Sequence, residues 1–579
     1  MIILEKLYSK TGLIDPVVFR PGINLILGRY SNYTNREING IGKSMLVRLI
    51  DYCFLSLGAK KKHFNTQALP FLEGHSISLD FRVGDKRYTL KRDFSNNSYV
   101  LFGEDSHLNS YTEGELREIL GSLLFKSYGP TYYEPNWFRT LLKFFIKDDL
   151  NHKIRKSSYD FIGYPVKKNL LVTYNLYLFG LPNSNLYQLH LWEEDLSRLR
   201  SSRAQLIQSM EKEFGKPLEE LAAELAELEK RVEAFRKVLE ELQLAETFRD
   251  LEENLLKLSA KISELLARIH KVKRELEYIR ESYKVKIEID IEETVNYYKR
   301  LKRDLGDFIK KSLEEVIAFR KRLADNRKKF LAQKEKELSD ELDRLWSKYK
   351  DLEEKRRRIY QVLDSKGSLD VLKNLYQAFL EEMTRHRRLK EVFSAKEILD
   401  KEILDKEQNV EMLYYTIMED YESHKEDYER FNLLFREVAR NCTATSEGSY
   451  LAIITTQDRY HPIDIKTDIP KSYSHGREQL KLLLYDLTIF HDIVEKKKPM
   501  PWFLIHDGLF HGIDIKTKIR TLNYIHQLLK EKGGQYIATF NEAEIYQEYG
   551  GENLSFSIEE STIALFEDRP ERMLFKREF

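Results

Sequence analysis

The residues best suited to chemistry form one short run of glycines, a lysine and a hydroxyl: Asn39, Gly40, Ile41, Gly42, Lys43 and Ser44. An apolar stretch typical of a strand precedes the run, and a second apolar stretch, residues 45–50, predicts a helix behind it. Glycines let backbone N–H groups curl around phosphate oxygens, and the N-terminus of a helix adds partial positive charge. Lys43 would reach the β and γ phosphates of a nucleotide, while the Ser44 hydroxyl would bind Mg²⁺. The run therefore predicts a phosphate-binding loop.

The spacing of this loop departs from the usual Gly-x-x-x-x-Gly-Lys-Ser pattern, because Glu37 stands where the first glycine is expected. If Gly28 is that first glycine, about nine extra residues, roughly 29–38, bulge out of the loop. The plainer alternative is a glycine-rich turn that happens to precede a helix. The apolar strand on one side and the apolar helix on the other favour a nucleotide site with an inserted lip.

A single acid follows an apolar strand near the other end of the chain. Residues 502–505 predict a buried parallel strand, and His506 and Asp507 come directly after it. Such a strand can deliver an acid to a phosphate site, although a core strand with a surface acid at its end is the plainer alternative. Asp507 would either bind Mg²⁺ or polarise the attacking water, and we expect both residues to be catalytic. Because Mg²⁺ prefers oxygen ligands, His506 would bind the metal less well than an acid, and if Asp507 is the catalytic acid, His506 would mainly affect how the metal-bound water is held.

A third polar group opens a helix shortly before that strand. Residues 471–478 contain Ser474 and Gly476 and lead into a predicted helix, residues 479–490. A serine and a glycine at a helix start predict a second phosphate-facing terminus, and an ordinary N-cap is the alternative.

Composition limits the class of protein. At 579 residues the chain exceeds one ordinary core, and 33% charged residues with only 25 Gly and 13 Pro indicate a helix-rich protein. A net charge of +1 gives no global basic field for nucleic acid, and the basic runs Lys60–Lys62 and Lys496–Lys498 are typical of solvated surface. Cys53 and Cys442 form neither a Cys-x-x-Cys pair nor a disulfide framework. No apolar run approaches the roughly 20 residues that cross a bilayer, so we expect a cytoplasmic protein without a membrane partner.

Hydrophobic periodicity divides the chain into three parts. Residues 1–185 predict the first half of an α/β domain, with two strands on either side of a Gly84-Asp85 turn and a helical lobe after about residue 111. Residues 186–440 carry apolar residues spaced three and four apart with charged flanks, which predict an antiparallel coiled coil. Strands return in residues 441–579, the second half of the α/β domain. The coil would therefore separate two halves that must meet again.

Breaks in the heptad pattern predict where the coil turns. The heptads stop at Tyr283 and a β-like segment follows, so we expect the apex between about residues 284 and 310. A phase slip near residues 242–244 predicts a joint, and the polar residues 365–368 predict the elbow that faces it.

The order of phosphate loop, long coil and acid-tipped strand resembles the SMC and RecN class of ABC ATPases. Residues 473–477, Tyr-Ser-His-Gly-Arg, are similar to a degenerate form of that class's Leu-Ser-Gly-Gly-Gln signature. The stretched phosphate loop, the Ile505–Phe510 turn and the segment 318–331 resemble the ATPase subunit of bacterial three-component ABC systems, which includes the SMC-like subunit of Lamassu anti-phage defence. The resemblance covers the whole chain and implies an α/β fold: an ABC-type ATPase head split in sequence by a long antiparallel coiled coil.

The resemblance also implies function. It implies an ATPase that uses ATP and Mg²⁺, in which two heads form a homodimer around two nucleotides, each held by the phosphate loop of one subunit and by Ser474 and Gly476 of the other. It implies double-stranded DNA, including DNA ends, as the sensed ligand. An effector nuclease and a small accessory subunit would be its partners in anti-phage or anti-plasmid defence. Two alternatives stay open: a DNA-repair or chromosome-maintenance ATPase without an effector, and a coiled-coil scaffold with a vestigial nucleotide site.

Two positions depart from the class. The class usually presents Asp-Glu, a metal ligand and then a catalytic base, where this chain has the single acid Asp507. Measured from Asp514, which resembles the D-loop aspartate of the class, Asp507 takes the first position and Gly508 the second. Measured from Pro501, Asp507 takes the second position. Because Asn541 stands at the place of the switch histidine, the sequence favours ATP binding over fast hydrolysis, with slow or DNA-stimulated turnover.

Overall fold

The computed structural model describes residues 1–30, 40–56, 69–95, 99–104, 107–147, 157–162, 165–241, 245–284, 313–365, 370–443, 445–472, 474–545 and 553–577. Their contacts form two compact units: Met1–Glu194 with Gln408–Phe579, called the head unit here, and Asp195–Glu407, called the helical unit. The head unit is mixed α/β, as the sequence predicted. The predicted boundaries at 185 and 440 both fall inside it, because the head unit includes the ends of the long helices that leave and re-enter it.

The strands are β1 (Ile2–Tyr8), β2 (Val17–Val18), β3 (Gly22–Arg29), β4 (Ser76–Val83), β5 (Lys86–Asp93), β6 (Tyr99–Glu104), β7 (His107–Thr112), β8 (Ile146–Lys147), β9 (Tyr450–Thr455), β10 (Ile463–Asp468), β11 (Phe503–His506), β12 (Gln535–Asn541) and β13 (Thr562–Glu567).

The α-helices are α1 (Lys43–Cys53), α2 (Leu69–Leu72), α3 (Glu113–Leu124), α4 (Phe138–Phe145), α5 (Lys168–Phe179), α6 (Ser184–Phe214), α7 (Leu218–Glu241), α8 (Ala245–Lys284), α9 (Leu313–Ser365), α10 (Asp370–Ser423), α11 (Lys425–Thr443), α12 (His475–Glu495), α13 (Ile515–Lys532), α14 (Glu542–Ile545) and α15 (Ile558–Ser561). Among these, none is both long enough and apolar enough to cross a membrane.

A five-stranded parallel sheet in the order β13-β3-β12-β11-β8 forms the centre of the head unit. β3 and β8 come from the N-terminal part of the chain, whereas β11, β12 and β13 come from the C-terminal part. β11 and β12 are buried on both faces, which explains why their sequences are continuous apolar runs. The register pairs Asn541 with Gly28, so the loops that follow β3, β11 and β12 leave the sheet at one edge.

A six-stranded antiparallel sheet, β2-β1-β4-β5-β6-β7, lies in the same unit. β4 and β5 are joined by the predicted Gly84-Asp85 turn, and Val83 pairs with Lys86 directly beside it. Helix α1 lies against β4 and β5, where the ring of Tyr52 stacks on Phe94 with ring centroids 5.1 Å apart. These contacts fix α1, whose N-terminus is the predicted phosphate loop.

The helical unit is built on apolar seams. One seam joins α8 to α9 through Ile269, Val272, Leu276, Leu338 and Leu345, and another joins Met210, Leu221, Leu228 and Leu389. Arg268 pairs with Glu341 at 3.0 Å and Arg280 with Glu335 at 2.9 Å, so α8 and α9 run antiparallel. Most of the predicted apex, residues 284–310, lies outside the described residues. The predicted joint, residues 242–244, and most of the predicted elbow, residues 365–368, also lie outside the described residues.

Candidate functional site

The predicted phosphate loop turns through two left-handed glycines directly before α1. Gly40 has φ +94° and Gly42 has φ +113°, values that L-amino acids with side chains rarely adopt. Gly42 is also the N-cap residue of α1 and gives no side-chain cap. The first N–H groups of a helix have no intrahelical partner, and the first turn of α1 carries no acidic residue that would compete for them. The loop therefore presents backbone donors and a helix N-terminus to an anion.

The C-terminal segment holds this loop in place. The backbone N–H of Leu574 donates to the carbonyl oxygen of Ile41 at 3.1 Å. A Cβ atom added at Gly42 would overlap the Cβ atom of Leu574, so a larger residue at Gly42 would meet both backbone strain and a clash. No pattern in the sequence pointed to Leu574, which meets the loop only through the tertiary fold.

Lys43 extends from the first turn of α1 toward the ends of β11 and β12. Its Nζ donates to the side-chain oxygen of Asn541, the residue at the predicted switch position, at 2.9 Å. Burial lowers the pKa of Lys43, while the carboxylates of Asp507 and Glu544 oppose that shift. The ammonium is thus directed to the sheet edge where a phosphate bound by the loop would lie.

Asp507 follows β11 directly and is held from two sides. Its backbone N–H donates to the carbonyl oxygen of Lys147 in the neighbouring strand β8 at 2.9 Å. Its Oδ1 accepts a 2.7 Å hydrogen bond from the hydroxyl of Thr539, and that hydroxyl accepts from the N–H of Gly508 at 3.1 Å. The residue is 2% exposed. Thr539, which the sequence analysis did not single out, therefore fixes the carboxylate.

One cavity of about 370 Å³ brings these groups together. The predicted residues that line it are Gly40, Ile41, Gly42, Lys43, Ser44 and Asp507, and its other walls include Arg48, Gly508, His511, Thr539 and Asn541. The chain segments that meet here are separated by about 450 residues in sequence. Backbone N–H donors, two cations and one buried carboxylate around a single cavity suit a phosphate ester accompanied by a divalent cation.

The residues expected to bind Mg²⁺ have suitable chemistry. Ser44 and Asp507 line the same cavity and both present oxygen, the ligand atom that Mg²⁺ prefers. Asp507 is a buried carboxylate with a hydroxyl on Oδ1, an environment that suits an added cation. Within the described residues, no three His, Cys, Asp or Glu side chains cluster as a metal cage. Mg²⁺ commonly takes one or two protein oxygens and completes its shell with phosphate and water.

His506 occupies a different place from the one expected. Its ring is completely buried, with Nδ1 2.8 Å from the hydroxyl of Tyr536 and Nε2 3.2 Å from Oδ2 of Asp486. Asp486 also forms an ion pair with the buried Lys147. Adjacent residues of a strand point to opposite faces of a sheet, so His506 faces α12 while Asp507 faces the loop. The expectation that His506 acts on the metal-bound water is therefore corrected to a core role.

Three other predicted residues lie apart from the cavity walls. Gly28 is near the end of β3, paired with Asn541. Ser474 is exposed at the N-cap of α12 and makes no side-chain cap bond, and Gly476 approaches Gly512 so closely that a Cβ atom would overlap the Gly512 carbonyl oxygen. Asn39 and the inserted lip lie outside the described residues. Within the part of the chain that the structure describes, neither Ser474 nor Gly476 lines the cavity.

The turn after β11 ends at a helix cap. Asp514, the predicted D-loop aspartate, is the N-cap of α13, where its carboxylate accepts from the N–H of Thr517 at 3.0 Å. Burial raises the pKa of Asp514, but the hydrogen bonds from Thr517 outweigh that effect and hold it below its usual range. An ionised Asp514 stabilises the helix start that closes the turn.

Comparison with known proteins gives three kinds of similarity. Residues 440–579 match a family described as "Uncharacterised protein conserved in bacteria (DUF2326)". The "Uncharacterized protein YydD" of Bacillus subtilis (strain 168) is 24% identical over 553 residues, which cover 90% of each chain. Among solved structures, the chain is similar to the Smc head domain with a coiled coil and joint from Pyrococcus yayanosii, at 16% identity and a TM-score of 0.37, covering 97% of this chain and 98% of the other. It is also similar to the Smc head domain with an extended coiled coil, bound to the C-terminal domain of ScpA, from Pyrococcus furiosus, at 14% identity and a TM-score of 0.35, covering 94% and 91%.

Proposed function

We propose that this protein binds and hydrolyses ATP in the manner of an SMC-like ABC ATPase. The observation that carries the proposal is the single cavity in which Lys43, Ser44 and Asp507 meet. A phosphate loop alone could be a glycine-rich turn, and a strand-end acid alone could be a surface residue. Their convergence on one cavity, with Lys43 bonded to Asn541 beside it, suits a nucleotide phosphate chain.

In this proposal Asp507 is a metal-binding residue rather than the catalytic base. Its Oδ1 is engaged by Thr539, and its negative charge acts on the ammonium of Lys43. A carboxylate so placed balances the lysine and offers its other oxygen to Mg²⁺, directly or through water. Of the two registers that the sequence left open, this favours the one in which Asp507 takes the metal position and Gly508 follows it. Bound Mg²⁺ would neutralise charge that develops on the β and γ phosphates.

The test of this function is a substitution of the loop lysine. Lys43→Ala should abolish ATP binding, because it removes a charge-assisted contact to phosphate while the apolar packing of α1 stays intact. Binding is measured by titration with a fluorescent ATP analogue, and folding by circular dichroism. Lys466→Ala, at an exposed lysine of β10, is the matched control and should bind ATP normally. Retained ATP affinity in folded Lys43→Ala protein would disprove the assignment of this loop.

We further propose that two heads close around two ATP molecules. Among the described residues, neither the exposed Ser474 nor the tightly packed Gly476 lines the cavity of its own chain, so this helix N-terminus could meet a nucleotide held by a second copy. ATP would favour the closed dimer by binding it more tightly than the separate heads, which is a shift of population.

The biological role proposed is DNA sensing in anti-phage or anti-plasmid defence, with an effector nuclease and a small accessory subunit as partners. The support is the resemblance of the loop, the strand-end turn and the signature-like segment to three-component ABC systems. ATP turnover measured with linear, circular and no DNA, with and without the neighbouring gene products, tests this role. Stimulation by DNA without any change in an associated nuclease would favour a repair or chromosome-maintenance ATPase, and absence of ATP binding would favour a scaffold.

A further inference from the structure

The C-terminal segment, residues 570–576, closes one side of the phosphate loop. Its two buried side chains are Leu574, which is 4% exposed, and Phe575, which is 7% exposed. Lys576 pairs with Asp15 at 2.8 Å, but both side chains are exposed to solvent, so this ion pair contributes little stability. The strongest described anchors of the segment are therefore two apolar side chains and the hydrogen bond that Leu574 donates to the loop.

The glycines of the loop do not by themselves fix the direction of its peptide groups. Gly42 has φ +113°. A glycine adopts positive and negative φ about equally, so it accepts either direction of the peptide group that precedes it. The C=O and the N–H of one trans peptide point to opposite sides. The direction of the Ile41 carbonyl therefore decides where the Gly42 N–H points.

Leu574 fixes the direction of that carbonyl. Its N–H donates to the Ile41 carbonyl oxygen at 3.1 Å, so the Gly42 N–H of the same peptide points away from Leu574. Gly42 lines the cavity, whereas Leu574 is not among the described walls. On the next peptide, the Leu46 N–H donates to the Gly42 carbonyl oxygen at 2.9 Å, so helix α1 directs the Lys43 N–H in the same way. Leu574 thus does for one peptide what the helix does for the next.

We propose that Leu574 is a positioning residue for ATP binding, because it turns the Gly42 N–H toward the nucleotide phosphates without being a wall of the cavity itself. This inference rests on the proposed ATP-binding function. A donor that is already directed at its ligand needs no reorganisation on binding, which raises affinity. Nucleotide and the docked C-terminal segment therefore favour each other, and by linkage the effect is the same in both directions.

The experiment removes the N–H of Leu574 and measures ATP affinity by titration with a fluorescent ATP analogue. Leu574→Pro lacks this donor, and truncation after Met573 removes the whole contact. Both should lose about ten- to a hundredfold in ATP affinity, the usual worth of one hydrogen bond to a charged group. Leu574→Ala keeps the N–H, so its loss should be at most about threefold. Truncation after Lys576 leaves the contact intact and is the matched control, which should bind ATP as the wild type does.

Hydrogen exchange in the wild type separates a positioning role from a merely structural one. Saturating Mg²⁺ and the non-hydrolysable ATP analogue AMP-PNP should slow exchange of the Leu574 amide by about tenfold or more, because linkage returns the same factor. Lys43→Ala protein at the same nucleotide concentration should show no slowing. Mass spectrometry of the exchanged protein measures the effect. This measurement needs no variant of Leu574, so it decides even where Leu574→Pro does not fold.

The outcomes separate this inference from the proposed function. Folded Leu574→Pro protein with wild-type ATP affinity would overturn the positioning role and leave ATP binding intact. Equal losses in Leu574→Pro and Leu574→Ala would overturn the role of the N–H, and exchange at Leu574 that AMP-PNP does not slow would overturn the linkage. Wild-type protein that binds neither ATP nor AMP-PNP would overturn the proposed function, and this inference with it.

Discussion

Thr539 decides how Asp507 meets the cavity. Its hydroxyl donates to Oδ1 of Asp507 and accepts from the N–H of Gly508, so one side chain fixes both the acid and the turn after it. Replacing a group that orients a metal ligand typically costs about ten- to a hundredfold in metal affinity. If Asp507 binds Mg²⁺ as proposed, Thr539 is its positioning residue.

Thr539→Val should weaken the Mg²⁺ dependence of ATP binding, because valine keeps the shape of threonine but lacks its hydroxyl. The expected loss is about ten- to a hundredfold in the Mg²⁺ concentration needed for half-maximal ATP binding. Thr539→Ser keeps the hydroxyl and should bind like the wild type, while Asp507→Asn should show the full loss. An unchanged Mg²⁺ requirement in Thr539→Val would refute the positioning role.

At this scale the sequence predicted local motifs and missed distant partners. Lys43, Ser44 and Asp507 could be predicted because each belongs to a motif of neighbouring residues: a glycine-rich turn before a helix, or the end of an apolar strand. Thr539 and Leu574 could not, because they meet those motifs only after distant segments pack together. His506 was misassigned because alternation along β11 turns neighbouring side chains to opposite faces, and the facing element, α12, is needed to know which face is which.

A buried ion cluster ties α5 to the helices behind β11. Lys498 donates to the carbonyl oxygens of Leu178 and Phe179, at the C-terminal end of α5, at 2.8 and 2.9 Å. It also forms an ion pair with Asp492, to which Arg430 donates at 2.6 Å. Burial lowers the pKa of Lys498 to about 8, so the ammonium remains charged at neutral pH. The cation satisfies helix-end carbonyls that have no intrahelical donor.

Lys498→Met should destabilise the fold by about 3–5 kcal/mol at pH 7, because it leaves Asp492 buried with one cation fewer. Urea denaturation measures the loss, and Lys496→Met, at an exposed neighbour, should change stability by less than about 0.5 kcal/mol. Equal stability of the two variants would contradict the role of Lys498.

The loss of folding stability at low pH gives a second measurement for Lys498→Met. Burial raises the pKa of Asp492, but Lys498 and Arg430 lower that pKa by more than burial raises it. The pKa of Asp492 therefore lies below its ordinary value. The stability that this carboxylate contributes is present above its unfolded pKa of about 3.9 and is lost as pH falls through its folded pKa. Without Lys498 the folded pKa rises, so the acid loss should begin at higher pH in Lys498→Met.

Elements could be predicted where the pattern was strong. The alternating strands around Gly84-Asp85 were predicted from residues 76–90 and form the β4–β5 hairpin. The apolar run 502–505 gave β11, although the structure begins that strand at Phe503. By contrast, the basic run Lys496–Lys498 was predicted to be solvated surface, and Lys498 is 4% exposed. A run of charged residues usually lies on the surface. Lys498 is buried instead, because a buried acid and two helix-end carbonyl groups bind its ammonium group.

At the scale of the whole molecule, the proposed function requires a pair of chains to complete the nucleotide site. Within the described part of one chain, the cavity is formed by the loop, the strand-end acid and the residues after β12, while the signature-like helix start presents Ser474 to solvent. ATP that bridges these surfaces would link two molecules, and its binding energy would appear as dimer stability.

Ser474→Arg should prevent ATP-dependent dimerisation, because a long cationic side chain would fill the space for the partner's phosphates. Light scattering after size-exclusion chromatography, with and without ATP, measures the dimer. Ser202→Arg, at an exposed serine of α6, is the control and should dimerise normally. Mixing Ser474→Arg with Lys43→Ala should restore heterodimers with one intact composite site, and ATP-dependent dimers of Ser474→Arg alone would disprove the contact in trans.

The strand order of the parallel sheet has a consequence for biosynthesis. β3 lies between β12 and β13, so both of its neighbours come more than 500 residues later in the chain. As the ribosome works from the N-terminus, the apolar β3 must wait unpaired while more than 500 residues are translated. At about 5–20 residues per second this delay lasts roughly half a minute or longer, during which an unpaired strand is prone to aggregate. The helical unit can pack meanwhile, so the nascent protein should form its helical unit before its parallel sheet and should depend on chaperones that shield extended apolar segments.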